Sequence, residues 1–211
     1  MADISLLAQA IDRGDMEKAV ALTRAAAASG ANPKDIIAKG LQAGMASVGE
    51  KFSSGEYFLP DMLMAARALK AALEVLKPML EKTGIPTIGR VVIGTVEGDM
   101  HDIGKNVVAT FLSGNGFEVF DLGLNVPVQK FVDEVKDKKP DILGMSALLT
   151  TTMPVFSKVI KALEQGGLRS SVKVIVGGAP VTQDYANYIG ADGYAHDGGR
   201  AVPECRKLLG K

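Results

Sequence analysis

The residues best placed to do chemistry lie in one short stretch, Glu97-Gly98-Asp99-Met100-His101-Asp102-Ile103-Gly104-Lys105. In an extended loop, residues two apart point to the same side. The Asp99 carboxylate can then reach one nitrogen of the His101 imidazole and leave the other free to bind a metal. A lone histidine serves a structural role as readily as a ligating one, and it is the nearby carboxylate that favours the second. The stretch is not a dinucleotide fingerprint: its glycine spacing is wrong, and a histidine stands where backbone would approach a pyrophosphate. One histidine cannot hold a bare metal ion, and Glu97 and Asp102 do not complete a tetrahedral or octahedral set. A metal bound here must arrive with most of its ligands, as it does in a macrocycle that needs only an axial donor from the protein.

Such a loop needs a rigid frame, and the hydrophobic period of the chain changes where that frame begins. Residues 1–83 read as four helices. Asn32-Pro33 is a strong helix start, and Leu69, Leu73, Leu76 and Leu80 form an apolar seam on a helix that begins near Pro60. Thr83 to Gly89, TGIPTIG, reads as a linker. Residues 90–211 alternate β-branched runs (Val91 to Val96, Glu118 to Leu122, Ile142 to Ser146, Val172 to Val176, Asp192 to Ala195) with helical stretches (Lys105 to Asn115, Val128 to Lys138, Pro154 to Gln165, Gln183 to Tyr188, Gly199 to Leu209). This predicts an α/β chain: an N-terminal helical bundle, then a doubly wound, five-stranded parallel sheet of the Rossmann or flavodoxin type. Ligands of such sheets bind beyond the carboxyl ends of the strands, where the loop 97–105 falls.

Asp99-x-His101-x-x-Gly104 resembles the D-x-H-x-x-G motif of cobalamin-binding domains, which bind the corrinoid with its own lower base displaced and the motif histidine on cobalt. Gly144-Met145-Ser146-Ala147-Leu148 is similar to the family's G-x-S-x-L, and Gly177-Gly178 to its double glycine, in the family's order. Taken singly, each of these segments also reads as an ordinary turn or strand-end cap. The resemblance implies that His101 is the lower axial ligand of a base-off cobalamin or related corrinoid. Asp99 and Thr152 would tune it, and Gly98, Met100, Asp102, Ile103, Gly104, Leu148 and Thr150 would line the site. Ser146 would hydrogen-bond the displaced nucleotide tail, Gly177 and Gly178 would make room for it, and Ala195 and Gly198 would approach its far end. His196 is expected to be a surface residue. His101 would come on and off cobalt, with the imidazolium stabilised by Asp99 and the hydroxyl of Thr152 or Ser146, coupling proton uptake to demethylation.

The stretch Gly49-Glu50-Lys51-Phe52-Ser53-Ser54-Gly55-Glu56-Tyr57-Phe58-Leu59-Pro60 resembles the helical cap of cobalamin-dependent methionine synthase and of the small corrinoid proteins of methyltransferase systems. By that resemblance Phe52, Leu59 and Met62 press on the upper corrin face. By periodicity alone the same three belong to an ordinary bundle core. Where methionine synthase has a cap glutamate, this sequence has Ala38.

The function so implied is that of a corrinoid methyl carrier. It would receive a methyl group through a substrate-specific corrinoid methyltransferase and yield it to a second methyltransferase that uses tetrahydrofolate or coenzyme M, with a reductive activator in attendance. The cap would open about glycines near 84 and 89. No zinc set, barrel or nucleotide loop is evident, so catalysis would need these partners. A mutase-type cobalamin subunit would lack the helical cap, and a cobalamin sensor would carry a further signalling module. A flavodoxin-like signalling domain without corrinoid is the remaining alternative. The 24 basic residues balance 24 acidic ones, which gives no source for the phosphate attraction of a nucleic-acid binder. No run of about 18 apolar residues suggests a membrane span, and the lone Cys205 fits a reducing, cytoplasmic setting.

Overall fold

The computed structural model describes residues 4–80 and 87–211. It divides into two compact units, one comprising the described residues up to Thr87 with Gly114–Gly116, the other Ile88–Ser113 with Phe117–Lys211.

The first unit is helical: α1 (Ile4–Asp12), α2 (Met16–Ala28), α3 (Pro33–Asp35), a π-helical segment (Ile36–Gln42), α4 (Ala43–Ser54) and α5 (Leu59–Leu80). The run from Pro33 to Ser54 is continuous, so four helical rods fill the unit as the periodicity predicts, although the π-helical turn inside the third has no sequence signal that we recognise. Asn32 caps that rod, its side chain accepting the Lys34 amide at 2.9 Å, with Pro33 in the first turn. Gly40 and Gly44 let α1 lie close to it: a Cβ at Gly44 would stand 2.5 Å from the Ala8 carbonyl oxygen, and one at Gly40 2.7 Å from Leu7 Cδ2. Leu7, Ile11, Leu41, Met45, Leu69 and Leu76 are buried. Leu73 is half-buried, and the side chain of Leu80 and residue Gly84 lie outside the described residues.

The second unit carries the sheet. Its strands are β1 (Arg90–Thr95), β2 (Glu118–Asp121), β3 (Ile142–Ser146), β4 (Lys173–Gly177) and β5 (Gly193–Ala195), all parallel in the order β2-β1-β3-β4-β5. Between and after them lie α6 (Ile103–Gly114), α7 (Val128–Lys138), α8 (Pro154–Gln165), α9 (Gln183–Tyr188) and α10 (Gly198–Leu208). Val92, Leu143 and Val174 pack with Phe131 of α7 and Phe156 of α8 in the core of one face. The connections leave β1 for β2 on one side and reach β3 on the other, so the crevice of this order opens between the ends of β1 and β3. Their register pairs Thr95 with Ser146, which brings the loops that follow these residues side by side.

Cys205 on α10 is fully buried, and burial pushes its thiol up to about 12. The thiolate is the reactive form, so the native chain is expected to resist thiol reagents at pH 8 and to react fully once unfolded in urea. Rapid labelling of the native chain would contradict that burial.

Candidate functional site

The β1 loop is built around one buried carboxylate. After β1 the chain turns at Glu97-Gly98, the Asp99 amide donating to the Val96 carbonyl at 3.1 Å. Asp99 is fully buried. Its Oδ1 accepts the His101 amide at 3.1 Å and lies 2.7 Å from His101 Nδ1. Oδ2 accepts the amides of Leu148 at 2.8 Å and Leu149 at 3.1 Å, and the Thr152 hydroxyl at 2.8 Å. The same hydroxyl lies 2.8 Å from the Leu149 carbonyl; it has one proton, and the carboxylate is the stronger acceptor. Burial raises the Asp99 pKa, but hydrogen bonds from His101, the Leu149 amide, Thr152 and the Leu148 amide outweigh it and hold the carboxyl well below the usual carboxylate range.

Asp99 and His101 therefore do meet, but not by alternation along an extended strand. Oδ1 binds the amide two residues on, an Asx turn that folds the loop back and leads into α6 at Ile103. With Nδ1 taken up by the Asp99 carboxylate, Nε2 is the ring nitrogen left for a metal. The His101 side chain is 50% exposed, and Met100, Ile103, Leu148 and Leu149 are exposed beside it in the loops. A half-open imidazole among apolar side chains suits the face of a flat, largely apolar ring that brings its own metal. Among the described residues no three His, Cys, Asp or Glu side chains converge to hold an ion by themselves. A corrinoid ring fits this donor set: it needs one nitrogen from the protein, and the half-exposed His101 imidazole, held by Asp99, offers one.

The other residues singled out in the sequence fall into four groups. Leu148, Thr152 and Ser146 belong to β3 or its loop. Thr152, not Ser146, shares the carboxylate, while Ser146 is half-buried at the strand end and Thr150 is exposed in the turn. Gly98 donates its amide to Asn125 Oδ1, Asp102 accepts from Asn106 at 3.0 Å, and Gly104 is exposed with nothing within 4 Å of where a Cβ would stand. Gly177, Gly178 and Ala195 lie at the ends of β4 and β5 and Gly198 opens α10, and at the three glycines a Cβ would meet neighbouring protein atoms. A Cβ at Gly177 would stand 2.7 Å from the Ala195 carbonyl oxygen, one at Gly178 would overlap the Ala147 carbonyl, and one at Gly198 would overlap the Phe111 ring. Ala195 and Gly198 are buried, and His196 is exposed. In the helical unit Phe52 is half-buried, Leu59 partly exposed and Met62 fully buried; Ala38 is exposed.

Sequence reasoning missed four contributors. The Leu149 amide binds Asp99, Thr95 and Asn125 bind the main chain of the loop, and Lys105, 2% exposed, pairs with Asp121 at the end of β2 while donating to Asn106 Oδ1 at 2.6 Å. Only Asn125 carried a signal, as an asparagine two residues after a glycine in a turn.

Asp99 is expected to matter to the apo fold. Asp99→Ala leaves the Leu148 and Leu149 amides and the Thr152 hydroxyl without this acceptor, which should cost about 2 kcal/mol in urea unfolding. A variant as stable as the parent would show that water replaces the carboxylate without loss.

The B12-binding-domain model matches residues 89–206, and a second B12-binding-domain model matches residues 4–77. The trimethylamine corrinoid protein 1 of Methanosarcina acetivorans is 46% identical over 202 residues, covering 95% of this chain and 94% of that protein. The dimethylamine corrinoid protein 1 of the same organism is 49% identical over 179 residues, 84% of each chain. Among solved structures, a cobalamin-binding protein from Desulfitobacterium hafniense superposes with a TM-score of 0.86 at 39% identity, covering 99% of both chains. The methanol:cobalamin methyltransferase complex of Methanosarcina barkeri gives 0.83 at 34% identity, covering 98% of this chain and 79% of that one. Matched by B12-binding-domain models across both of its units and similar to corrinoid proteins over nearly its whole length, the chain belongs to the B12-binding family of corrinoid proteins.

Proposed function

We propose that this chain carries a methyl group on the cobalt of a corrinoid, between a substrate-specific methyltransferase and a second methyltransferase that delivers it to tetrahydrofolate or coenzyme M. The observation that carries the reading is the Asp99–His101 pair, with the imidazole half-exposed among Met100, Ile103, Leu148 and Leu149. The corrinoid, when bound, supplies a cobalt centre able to take and give up a methyl group. His101 Nε2 would be the protein nitrogen that holds this cobalt. Asp99 holds the Nδ1 proton and the ring direction, and Thr152 holds Asp99 in turn. The remaining loop residues, Gly98, Met100, Asp102, Ile103, Gly104, Ser146, Leu148 and Thr150, line the corrinoid and its displaced tail, with Gly177, Gly178, Ala195 and Gly198 shaping the strand ends around it.

The division of labour is residues 90–211 for the cofactor and residues 1–83 for a lid. Leu59 supports the second assignment, with Phe58 and Leu63 also apolar and exposed on the helical unit; Phe52 and Met62 are the lid's other proposed contacts. A dry lid protects a reactive metal-carbon bond from water while the carrier is idle. Similarity over both regions to stand-alone corrinoid proteins speaks against a mutase-type subunit or a sensor. The names of the relatives make N-methylated amines the first donors to assay, with methanol next. A reductive activator and a cytoplasmic location complete the proposal; among the described residues no helix is long and apolar enough to cross a membrane.

The test is reconstitution. Full-length chain mixed with hydroxocobalamin should elute coloured from gel filtration. After reduction it should accept methyl groups from trimethylamine or dimethylamine only when the matching methyltransferase is present, and pass them on with either coenzyme M or tetrahydrofolate and its transferase. A colourless protein peak overturns the reading.

A further inference from the structure

The His101 ring is oriented by Asp99, but the main chain of its loop is also held by two residues that make no hydrogen bond to the ring. Thr95, the last residue of β1 and fully buried, donates its hydroxyl to the His101 carbonyl at 3.0 Å. Asn125, in the loop between β2 and α7, accepts the Gly98 amide on Oδ1 at 2.7 Å and donates its own amide to the Asp99 carbonyl at 3.1 Å. A parallel bridge between Val96 and Val126 secures the same two segments just beside these bonds. We propose that Thr95 and Asn125 are positioning residues for the axial histidine, a main-chain clamp that presets where Nε2 points before any corrinoid arrives. This rests on the reading of His101 as the axial donor.

The division of tasks follows from the geometry. Asp99 is anchored on the β3 loop through Leu148, Leu149 and Thr152, so it fixes the tautomer and rotation of the ring. Beyond its bond to the His101 amide, its side chain does not hold the Gly98 amide, its own carbonyl or the His101 carbonyl. Those are fixed by Asn125 at Gly98 and Asp99, and by Thr95 at His101. Asn125 adopts φ +50°, a left-handed conformation that most non-glycine residues disfavour and that asparagine tolerates best. The conformation persists because both its amide and its side chain are committed to the loop. A metal-nitrogen bond tolerates displacement of only about half an ångström, so a loop released from the clamp would present the same imidazole less often in a usable place.

The experiment uses the full chain and aquocobinamide, a corrinoid without a nucleotide tail, so that binding reports axial coordination rather than tail contacts. Affinity is read by visible titration. Ligation by one imidazole is read from nitrogen superhyperfine splitting in the electron paramagnetic resonance spectrum of the Co(II) form, which a loss of stability alone would not remove. Thr95→Val deletes the hydroxyl at nearly constant volume and Thr95→Ser retains it. Asn125→Ala deletes the acceptor, Asn125→Asp keeps it, and Asn125→Gly loses it while relieving the left-handed backbone. Thr95→Val, Asn125→Ala and Asn125→Gly should each weaken cobinamide about fivefold, and Thr95→Val with Asn125→Ala should reduce the split fraction visibly. Thr95→Ser and Asn125→Asp should stay near the parent. Parent-like affinity and splitting in both deletion variants overturns the clamp, as does a loss that the serine and aspartate variants fail to rescue. His101→Ala, run alongside, separates the two ideas: if it keeps the splitting, the axial reading itself is wrong and the clamp falls with it.

Discussion

Replacing His101 with alanine should give a chain that folds, still takes up hydroxocobalamin through contacts to the ring and tail, and shows no nitrogen superhyperfine splitting in the Co(II) state. The fold should survive because the imidazole is half-exposed and its ring is hydrogen-bonded to Asp99. Asp99 keeps its bonds to Leu148, Leu149, Thr152 and the amide of residue 101, so the apo chain should lose no more than about 1 kcal/mol. The effect on cobalt should be total, since no second histidine is at hand: His196 lies in the β5 loop beside Tyr194, its Nδ1 3.3 Å from that hydroxyl. Methyl transfer should fall by about a hundredfold or more, the order of loss seen when a metal's orienting shell is disturbed. A variant with the parent's spectrum would refute His101 as the ligand and leave the apolar side chains around it without the purpose assigned here.

Much of this was legible in the residues. The helices Val128–Lys138, Pro154–Gln165 and Gln183–Tyr188 and the strand Ile142–Ser146 coincide with their periodic runs, because each has a clear stop in glycine, proline or a capping residue. The chemistry of the loop was legible too, since a carboxylate and an imidazole two residues apart in sequence must be near one another in space. How they meet was not. An extended loop and an Asx turn both bring the groups together, and only the left-handed turn at Gly98 and the amide of His101 bonded to Oδ1 distinguish them. Thr95, Asn125 and Lys105 stayed hidden for a different reason. Thr95 reaches back within the β1 loop to the His101 carbonyl, Asn125 and Lys105 act across the ends of β1 and β2, and Asp99 reaches the β3 loop 49 to 53 residues on. Strand order decides such contacts, and alternation of strand and helix does not reveal strand order. The double glycine, expected to make room for the displaced tail, also has a packing reason that the sequence did not show: a Cβ at either position would meet main chain of a neighbouring strand end.

That last point yields a paired prediction. Gly178 has φ +130°, and a Cβ there would overlap the carbonyl of Ala147, whose own amide donates to Gly177 at 3.2 Å. Both neighbours are backbone at the ends of paired strands, so neither can step aside as a flexible side chain would. Gly178→Ala should therefore destabilise the apo chain by about 4 kcal/mol, combining a forbidden backbone region with overpacking. Gly104 is the opposite case. It lies in the first turn of α6, its backbone is ordinary, and a Cβ there meets nothing within 4 Å. Gly104→Ala should leave apo stability unchanged or slightly raised, because alanine is the better helix former. If the displaced nucleotide tail occupies the open space beside Gly104, the added methyl should weaken hydroxocobalamin at least tenfold while leaving aquocobinamide, which has no tail, near its parent affinity. Urea unfolding of both apo variants and titration of Gly104→Ala with both corrinoids decide the matter. Equal loss for the two corrinoids would place the effect on the ring or on His101 instead of the tail, and no loss for either would show that the tail lies elsewhere. A Gly178→Ala chain as stable as the parent would mean that the β4 end can open without cost, so that the glycine serves the ligand after all.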